Sequence, residues 1–136
     1  MNNPNYYLAV GSYENWQSAL SKGNIWGLGE NRRASWSRPK LGDVIFFYVE
    51  VPICAVVGWG TVVEKHHDGK PFFAEDSPTK SEWPWRFRFS IQWPQPFSLL
   101  HGKRISVSNL PGGITLHRGF QDLGPVKGLE MVRRCM

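Results

Sequence analysis

Two long apolar segments separated by a proline dominate the middle of the chain. Residues 44–51 read VIFFYVEV and residues 53–65 read ICAVVGWGTVVEK, and both are rich in β-branched and aromatic side chains. Runs of this kind, bounded by turn residues, predict strands. Pro52 separates the two runs because proline cannot donate to a strand ladder. Gly58 and Gly60 indicate a bulge or a close backbone approach in the second strand.

The sequence before these strands predicts a strand followed by a helix. Residues 6–10 read YYLAV and form a short apolar run that ends at a glycine. Apolar side chains at i, i+3 and i+4 predict a helix over residues 13–22. Ser12 is a suitable N-cap for this helix, and Gly23 is placed to end it.

The rest of the chain adds shorter elements. Residues 85–93 alternate polar and apolar side chains, which predicts a half-buried strand. Residues 114–116 are a candidate last strand, and residues 127–134 are compatible with a terminal helix. Residues 24–40 show no sustained period. The fold class predicted is α+β, built on a strongly bent, mostly antiparallel sheet or small barrel with short helices around it.

Composition limits the classes of protein to consider. The 136 residues carry a net charge of +5 with 41% hydrophobic residues, which fits one globular domain over residues 1–136. The longest apolar run is too short to span a membrane, and no signal peptide is visible. Cys54 and Cys135 form no zinc pattern, so a reduced, cytoplasmic location is expected. The basic balance hints at a polyanionic partner.

Catalytic motifs are poorly represented. His66, His67 and Asp68 are adjacent in a predicted turn, where neighbouring side chains diverge and do not converge on a metal. Cys54 lies in an apolar strand, which favours an inert thiol over a nucleophile. The glycines near residue 28 lack the Lys-Ser/Thr of a phosphate-binding loop. We therefore expect neither a catalytic site nor a metal or cofactor.

Tryptophans in glycine- and proline-rich settings are the informative feature. Trp16 and Trp59 fall inside periodic elements and are predicted to be core residues. Trp26 precedes two glycines and a basic segment, and Trp83 and Trp85 flank Pro84. Such rings either provide a stacking platform for a planar ligand such as a base, or seal a small core under loops. Nearby cations suit the phosphates of a nucleic acid; they are Arg32, Arg33, Arg38 and Lys40.

Several segments resemble one known group of domains. Residues 22–27 (KGNIWG), with the strand and helix before them, resemble the opening of the EVE and YTH domains of the PUA-like superfamily. Residues 40–48 (KLGDVIFFY) and 56–64 (VVGWGTVVE) are similar to two central strands of EVE domains. Residues 88–93 (RFSIQW) are similar to a strand of YTH proteins. These pieces follow the order of the family from residue 5 to residue 96.

The resemblance implies a single EVE domain with a PUA-like pseudo-barrel. It also implies non-catalytic binding of a modified nucleobase, of methylated adenine or cytosine type, in DNA or RNA. The flipped base would be held in an aromatic cage and its phosphates by a basic rim. The residues that match base-binding positions of the family are Trp26, Trp83 or Trp85, Phe73, Ser12 and Asn15; Phe73 stands where YTH proteins have a second tryptophan.

Three functions are therefore compared. The first is this reader of modified bases, with Arg32, Arg33, Arg38 and Lys40 on the phosphates and a monomeric state favoured. The second is an RNA-processing enzyme like the related ASCH-type domains, in which His66, His67, Lys22 or Arg33 would act. The third is a methyl-lysine cage, which the arginines around Trp26 and Trp85 argue against because such a cage usually needs a carboxylate.

Overall fold

The computed structural model describes residues 3–91, 105–116 and 119–135. Strands dominate these residues, and three helices accompany them. In chain order the elements are β1 (Tyr6–Gly11), α1 (Tyr13–Ser21), β2 (Ile25–Leu28), a 3-10 turn (Glu30–Arg32), α2 (Arg33–Ser37), β3 (Val44–Val49), β4 (Ala55–His67), β5 (Trp85–Ile91), β6 (Ile105–Ser106), a second 3-10 turn (Val107–Asn109), β7 (Phe120–Asp122) and α3 (Gly124–Cys135).

The described strands form one mixed sheet in the order β2-β5-β4-β3-β1-β7, with β6 paired to the start of β4. Strands β1 and β3 run parallel, and the other pairs are antiparallel. Register shifts occur opposite Phe47 and after Val62, and such bulges increase the twist of a sheet. The sheet curls so far that Phe87 of β5 stacks on Phe120 of β7 at 5.5 Å, although three strands lie between them.

Both faces of the central strands are buried. One face of β1 and β3 packs in the curled interior with α1, and the other packs beneath α3. Buried on both sides, these strands read as continuous apolar runs without alternation. The longest helix in the described residues, α3, has 12 residues, and no helix there is long and apolar enough to cross a membrane.

Several local predictions are confirmed. The Ser12 hydroxyl accepts the Asn15 backbone N–H at 3.1 Å as the N-cap of α1, and Gly23 follows with a φ of 125°. Trp16 is fully buried. A β-carbon at Gly60 would lie 2.8 Å from Phe89, so this glycine marks the close backbone approach that was predicted.

Other predictions are wrong or only partly right. Residues 114–116 form no strand; the short strand is β7, a few residues later. The segment over residues 24–40 contains both β2 and α2, each too short for its period to be visible in the sequence. The Cys54 residue lies in the turn before β4 with a φ of 51°, not within the strand. The end of the strand predicted over residues 85–93 lies partly outside the described residues.

We expect Gly128→Ala to destabilise the protein although alanine favours a helix. A β-carbon at residue 128 would lie 2.2 Å from Cγ of Tyr6, where α3 packs on β1. Alanine gains about 1 kcal/mol in helix propensity, but this severe overlap costs about 3 kcal/mol. The net loss of about 2 kcal/mol is measured by urea unfolding. Leu129→Ala, an exposed change in the same helix, is the control, with an expected change within about 0.5 kcal/mol. A Gly128→Ala midpoint at or above that of the wild type would contradict this docking of α3.

Candidate functional site

An open seam lies between β2 and β7, the two ends of the curled sheet. Arg32 crosses it, because its Nη2 donates to the Phe120 carbonyl at 3.2 Å. The Val10 backbone N–H donates to the Gly119 carbonyl at 2.8 Å nearby. A cleft of about 100 Å³ opens here; it is lined by Val10, Trp26, Gly27, Leu28, Gly29, Arg32, Trp83 and Gly119.

Trp26 forms the floor of this cleft and belongs to the core. Its side chain is only 5% exposed and stacks on Trp16, with ring centroids 3.8 Å apart and planes inclined by 9°. Trp26 does not lie in a loop, because it pairs with Phe87 in the ladder between β2 and β5. The tip of its indole lies against the backbone of Gly11, where a β-carbon would come within 2.1 Å. One ring face is thus covered by Trp16, and the exposed remainder faces the cleft.

Phe73 and Trp83 come from one loop and lie beside Trp26. The Phe73 ring meets Trp26 edge-on at 5.5 Å and Trp83 edge-on at 5.7 Å. Trp83 is partly buried, and its carbonyl would lie 2.4 Å from a β-carbon at Gly27, so only glycine permits this approach. The structure therefore brings together Trp26, Phe73 and Trp83, three of the residues that the resemblance implied.

Trp85 lies in a different cluster. Its ring contacts Trp36 of α2 at 4.9 Å and His67 at the end of β4 at 4.4 Å. Of the two tryptophans left open in the sequence, Trp83 is the one beside Trp26. The contribution of Trp36 was missed because α2 is a helix of only five residues.

The loop that carries Phe73 and Trp83 is folded around the carboxylate of Asp76. One oxygen accepts the backbone N–H groups of Phe72 and Phe73 at 2.8 Å each. The other accepts the Ser81 hydroxyl at 2.9 Å and the Glu82 N–H at 2.8 Å. Burial by itself raises the pKa of the Asp76 carboxyl, but these hydrogen bonds outweigh it and hold the pKa below its ordinary value.

Arg86 holds the same loop from the opposite side. Its side chain is buried, and its Nη2 donates to the Lys70 carbonyl at 2.6 Å while Nε donates to the Trp83 carbonyl at 3.3 Å. Asp68 lies 3.6 Å from Nη1. Burial lowers the pKa of the Arg86 guanidinium, against the opposing effect of Asp68 and Asp76. This cation therefore organises the loop and is not part of an exposed basic surface.

Ser12 and Asn15, the residues implied for contacts to a base edge, bind other parts of the protein in this structure. The Ser12 hydroxyl caps α1. The buried Asn15 side chain accepts the Glu75 N–H at 3.0 Å and donates to the Glu75 carboxylate at 3.2 Å. Their polar atoms therefore fix α1 and tie it to the loop that carries Phe73.

The four cations implied for phosphate binding each lie at a different place. Arg32 lies at the cleft, and Arg33 lies over the Trp85 ring at 5.4 Å. Arg38 is exposed just after α2. Lys40 lines a second depression of about 280 Å³, formed with residues 3–5 and 41–43. The cations thus follow the surface from the seam across α2 to the N-terminal segment.

The residues named for the enzymatic alternative are partly brought together. His67 Nε2 lies 3.6 Å from the Glu30 carboxylate, and both residues contact Trp85, whose ring also lies beneath Arg33. Lys22 instead donates to the Phe72 carbonyl at 3.1 Å. Over residues 3–91, 105–116 and 119–135, no group of three or more His, Cys, Asp or Glu side chains is placed to hold a metal ion.

Solved structures are similar to this chain in fold. No family model and no curated protein matches the sequence. The YTH domain of the Zygosaccharomyces rouxii MRB1 protein, solved in complex with N6-methyladenosine RNA, has a TM-score of 0.64 at 12% identity, covering 98% of this chain and 88% of that one. ASCH from Zymomonas mobilis has a TM-score of 0.61 at 14% identity, covering 96% of both chains.

A protein from Agrobacterium tumefaciens has a TM-score of 0.60 at 21% identity, covering 96% of this chain and 92% of that one. At these identities the likeness concerns the fold. ASCH and YTH domains share the PUA-like architecture, and this chain has it too: a curled, mixed half-barrel sheet with short helices around it. This confirms the fold class predicted from the sequence.

We expect Asp76→Asn to loosen the loop that carries Phe73 and Trp83. Because the folded-state pKa of Asp76 is below the ordinary value of about 3.9, its stabilisation is present above that value and is lost as the pH falls through the folded-state pKa. Asparagine should cost about 1–3 kcal/mol at neutral pH and reduce the loss of stability between about pH 5 and pH 2. Urea midpoints across this range measure both effects. Glu50→Gln at an exposed site is the control, and an unchanged pH dependence in Asp76→Asn would contradict the assignment.

Proposed function

We propose that this protein is an EVE-type member of the PUA-like group that binds a modified nucleobase, of methylated adenine or cytosine type, in DNA or RNA without catalysing a reaction. The observation that carries the proposal is the cluster of Trp26, Phe73 and Trp83 at the open seam beside Arg32. Support also comes from the similarly folded YTH domain that was solved with N6-methyladenosine RNA.

The size of the cleft limits how a base enters. Its volume of about 100 Å³ is below the roughly 150 Å³ of an engineered cavity that holds benzene. The cleft therefore accepts the methyl-bearing edge of a base, while the rest of the ring stays outside against Trp83. Stacking on an aromatic ring stabilises a bound base by about 1–3 kcal/mol. Extraction of a base costs a few kcal/mol from a duplex and less from a single strand.

The cations supply affinity that does not depend on the base. The chain has a net charge of +5, and Arg32, Arg33, Arg38 and Lys40 lie along the surface next to the cleft. Contacts to phosphates position a nucleic acid without reading its sequence, and they weaken as salt rises. Arg32 also donates to the Phe120 carbonyl across the seam, so its replacement would change both the phosphate contact and the structure of the seam.

Trp83 is the residue that tests this proposal most directly. Removal of Trp26 would cost about 3–5 kcal/mol of stability, because that ring is buried on Trp16. Trp83 is only partly buried, so Trp83→Leu keeps apolar volume and removes the flat ring. We expect binding of a single strand with one N6-methyladenine or 5-methylcytosine to weaken by about 1–3 kcal/mol. The preference over the unmodified strand should shrink as well, because Trp83 also lines the cleft that receives the methyl-bearing edge.

Trp59→Leu is the matched control for this measurement. Trp59 is also partly buried, but it packs with Phe46 in the cluster beneath α3 and not at the seam. Its replacement should leave the affinity and the methyl preference unchanged. The salt dependence of binding should be the same in both variants, because neither loses a cation. Equal effects of Trp83→Leu and Trp59→Leu on affinity would argue against the cleft as the binding site.

RNA processing is the second candidate function, and one arrangement favours it. His67 and Glu30 approach each other at 3.6 Å beside Trp85, and Arg33 lies over the same Trp85 ring. A histidine near a carboxylate can serve as a general acid or base, and an arginine suits a phosphate. The fold of the Zymomonas mobilis ASCH protein is similar to this one.

Incubation with end-labelled RNA separates the two functions. A binding protein leaves the RNA intact with and without EDTA. Cleavage that disappears in His67→Ala, while the variant remains folded, would replace the binding proposal with the enzymatic one. Cleavage that persists in His67→Ala would assign the activity to other residues or to a contaminant.

A further inference from the structure

A second pair of indoles lies outside the cleft and has a fixed orientation. The rings of Trp36 and Trp85 are 4.9 Å apart and inclined by 44°. The indole N–H of Trp36 donates to the Arg86 carbonyl, and that of Trp85 donates to the Glu30 carbonyl, both at 3.0 Å. Both side chains are only partly buried. Their polar atoms are therefore satisfied by the protein, and apolar ring surface remains exposed to solvent.

Cations surround this pair of rings. The Arg33 guanidinium lies 5.4 Å from the Trp85 ring, and the Lys65 ammonium lies 4.4 Å from the Trp36 ring. The His67 ring meets the Trp85 ring edge-on. The Glu30 carboxylate lies 3.6 Å from Nε2 of His67. Partly exposed rings beside an exposed cation such as Arg33 are the combination that single-stranded nucleic acids use, with bases on the rings and phosphates on the charge.

Arg33 does not prevent a base from reaching Trp85. An exposed cation–π contact is weaker than the stacking of a base on an aromatic ring. A base can therefore displace the guanidinium from the Trp85 ring. The displaced guanidinium is then beside the backbone of the bound strand, where it pairs with a phosphate.

The Trp36–Trp85 pair and the Trp26–Phe73–Trp83 cluster are neighbours in the fold. Leu28 of the cleft is paired with Trp85 across the ladder between β2 and β5. Arg32 lines the cleft, and the next residue, Arg33, lies over Trp85. Consecutive Cα atoms are about 3.8 Å apart, so one single-stranded nucleic acid that passes over the 3-10 turn can reach both cations.

We propose that Trp85, with Trp36 behind it, stacks the base of the nucleotide next to the one held at the cleft. This rests on the proposed function and makes its ligand more specific: a single strand with at least two consecutive unstacked nucleotides, joined across Arg32 and Arg33. A continuous duplex cannot satisfy both positions, because its neighbouring bases remain stacked on each other and paired.

Abasic substitution tests this on the unaltered protein. The probes are short single strands with one central N6-methyladenine or adenine, either intact or with an abasic residue on the 5′ or the 3′ side. We expect one of the two abasic strands to bind wild-type protein about five- to a hundred-fold more weakly, which corresponds to one lost stacking contact. In Trp85→Leu this difference between strands should disappear, and in the control Trp59→Leu it should persist.

The possible outcomes separate the two proposals. If both abasic strands bind wild-type protein as tightly as the intact strand, the proposed stacking on Trp85 is overturned. A methyl preference that is retained in that case still supports binding of the modified base at the cleft. If the abasic effect survives in Trp85→Leu, the stacking on Trp85 is likewise overturned. If no strand binds, the proposed function itself fails. If Trp85→Leu does not fold, Arg33→Gln, at an exposed site, replaces it as the test variant. If Arg33→Gln keeps the abasic effect and its binding has the same salt dependence as that of the wild type, the proposed path of the nucleic acid over Arg33 is rejected.

Discussion

The stacking of Trp26 on Trp16 determines where the rest of the candidate site lies. The Trp16 indole donates to the Tyr48 carbonyl at 2.8 Å inside the core and so ties α1 to β3. Trp26 lies parallel to that indole at 3.8 Å, which brings β2 to α1. Gly11 makes the contact feasible, since any β-carbon there would overlap the Trp26 ring. With β2 held in this position the sheet curls toward β7 without closing, and the cleft is the gap that remains.

The elements with a complete local signal were predictable from the sequence. Helix α1 has its cap, its apolar spacing and its terminating glycine within a dozen residues, and β3 and β4 are long apolar runs. Strand β2 has only four residues, and its hydrogen-bond partner β5 lies about sixty positions away in the chain. Its existence depends on tertiary pairing and on the burial of Trp26, which no local pattern contains. The same holds for the three-residue strand β7.

The residues that line the candidate cleft could be named from the sequence, but their arrangement could not. The resemblance named Trp26 and Phe73 and left Trp83 and Trp85 as alternatives, because both tryptophans stand just before the segment that matches the YTH strand. The structure separates these alternatives by their contacts: the Trp83 ring meets Phe73, whereas the Trp85 ring packs with Trp36 and His67. The Arg86 side chain, which is buried and belongs to β5, holds the Trp83 carbonyl. A buried arginine among alternating charges resembles a surface cation in the sequence, so its structural role could not be inferred there.

The Ser12 and Asn15 side chains are already hydrogen-bonded within the protein, which limits how the proposed reader can distinguish a modified base from an unmodified one. A buried methyl contributes about 0.8 kcal/mol, which is roughly a fourfold preference. Stacking adds affinity for modified and unmodified bases alike. Hydrogen bonds to a base edge can give a large discrimination, but they need side chains that are not already hydrogen-bonded. Ser12 is bonded to the backbone of α1, and Asn15 is bonded to Glu75. Selectivity at this cleft therefore depends on shape: walls held by Asp76 and Arg86 that fit an apolar edge and exclude a bulkier or more strongly hydrated one.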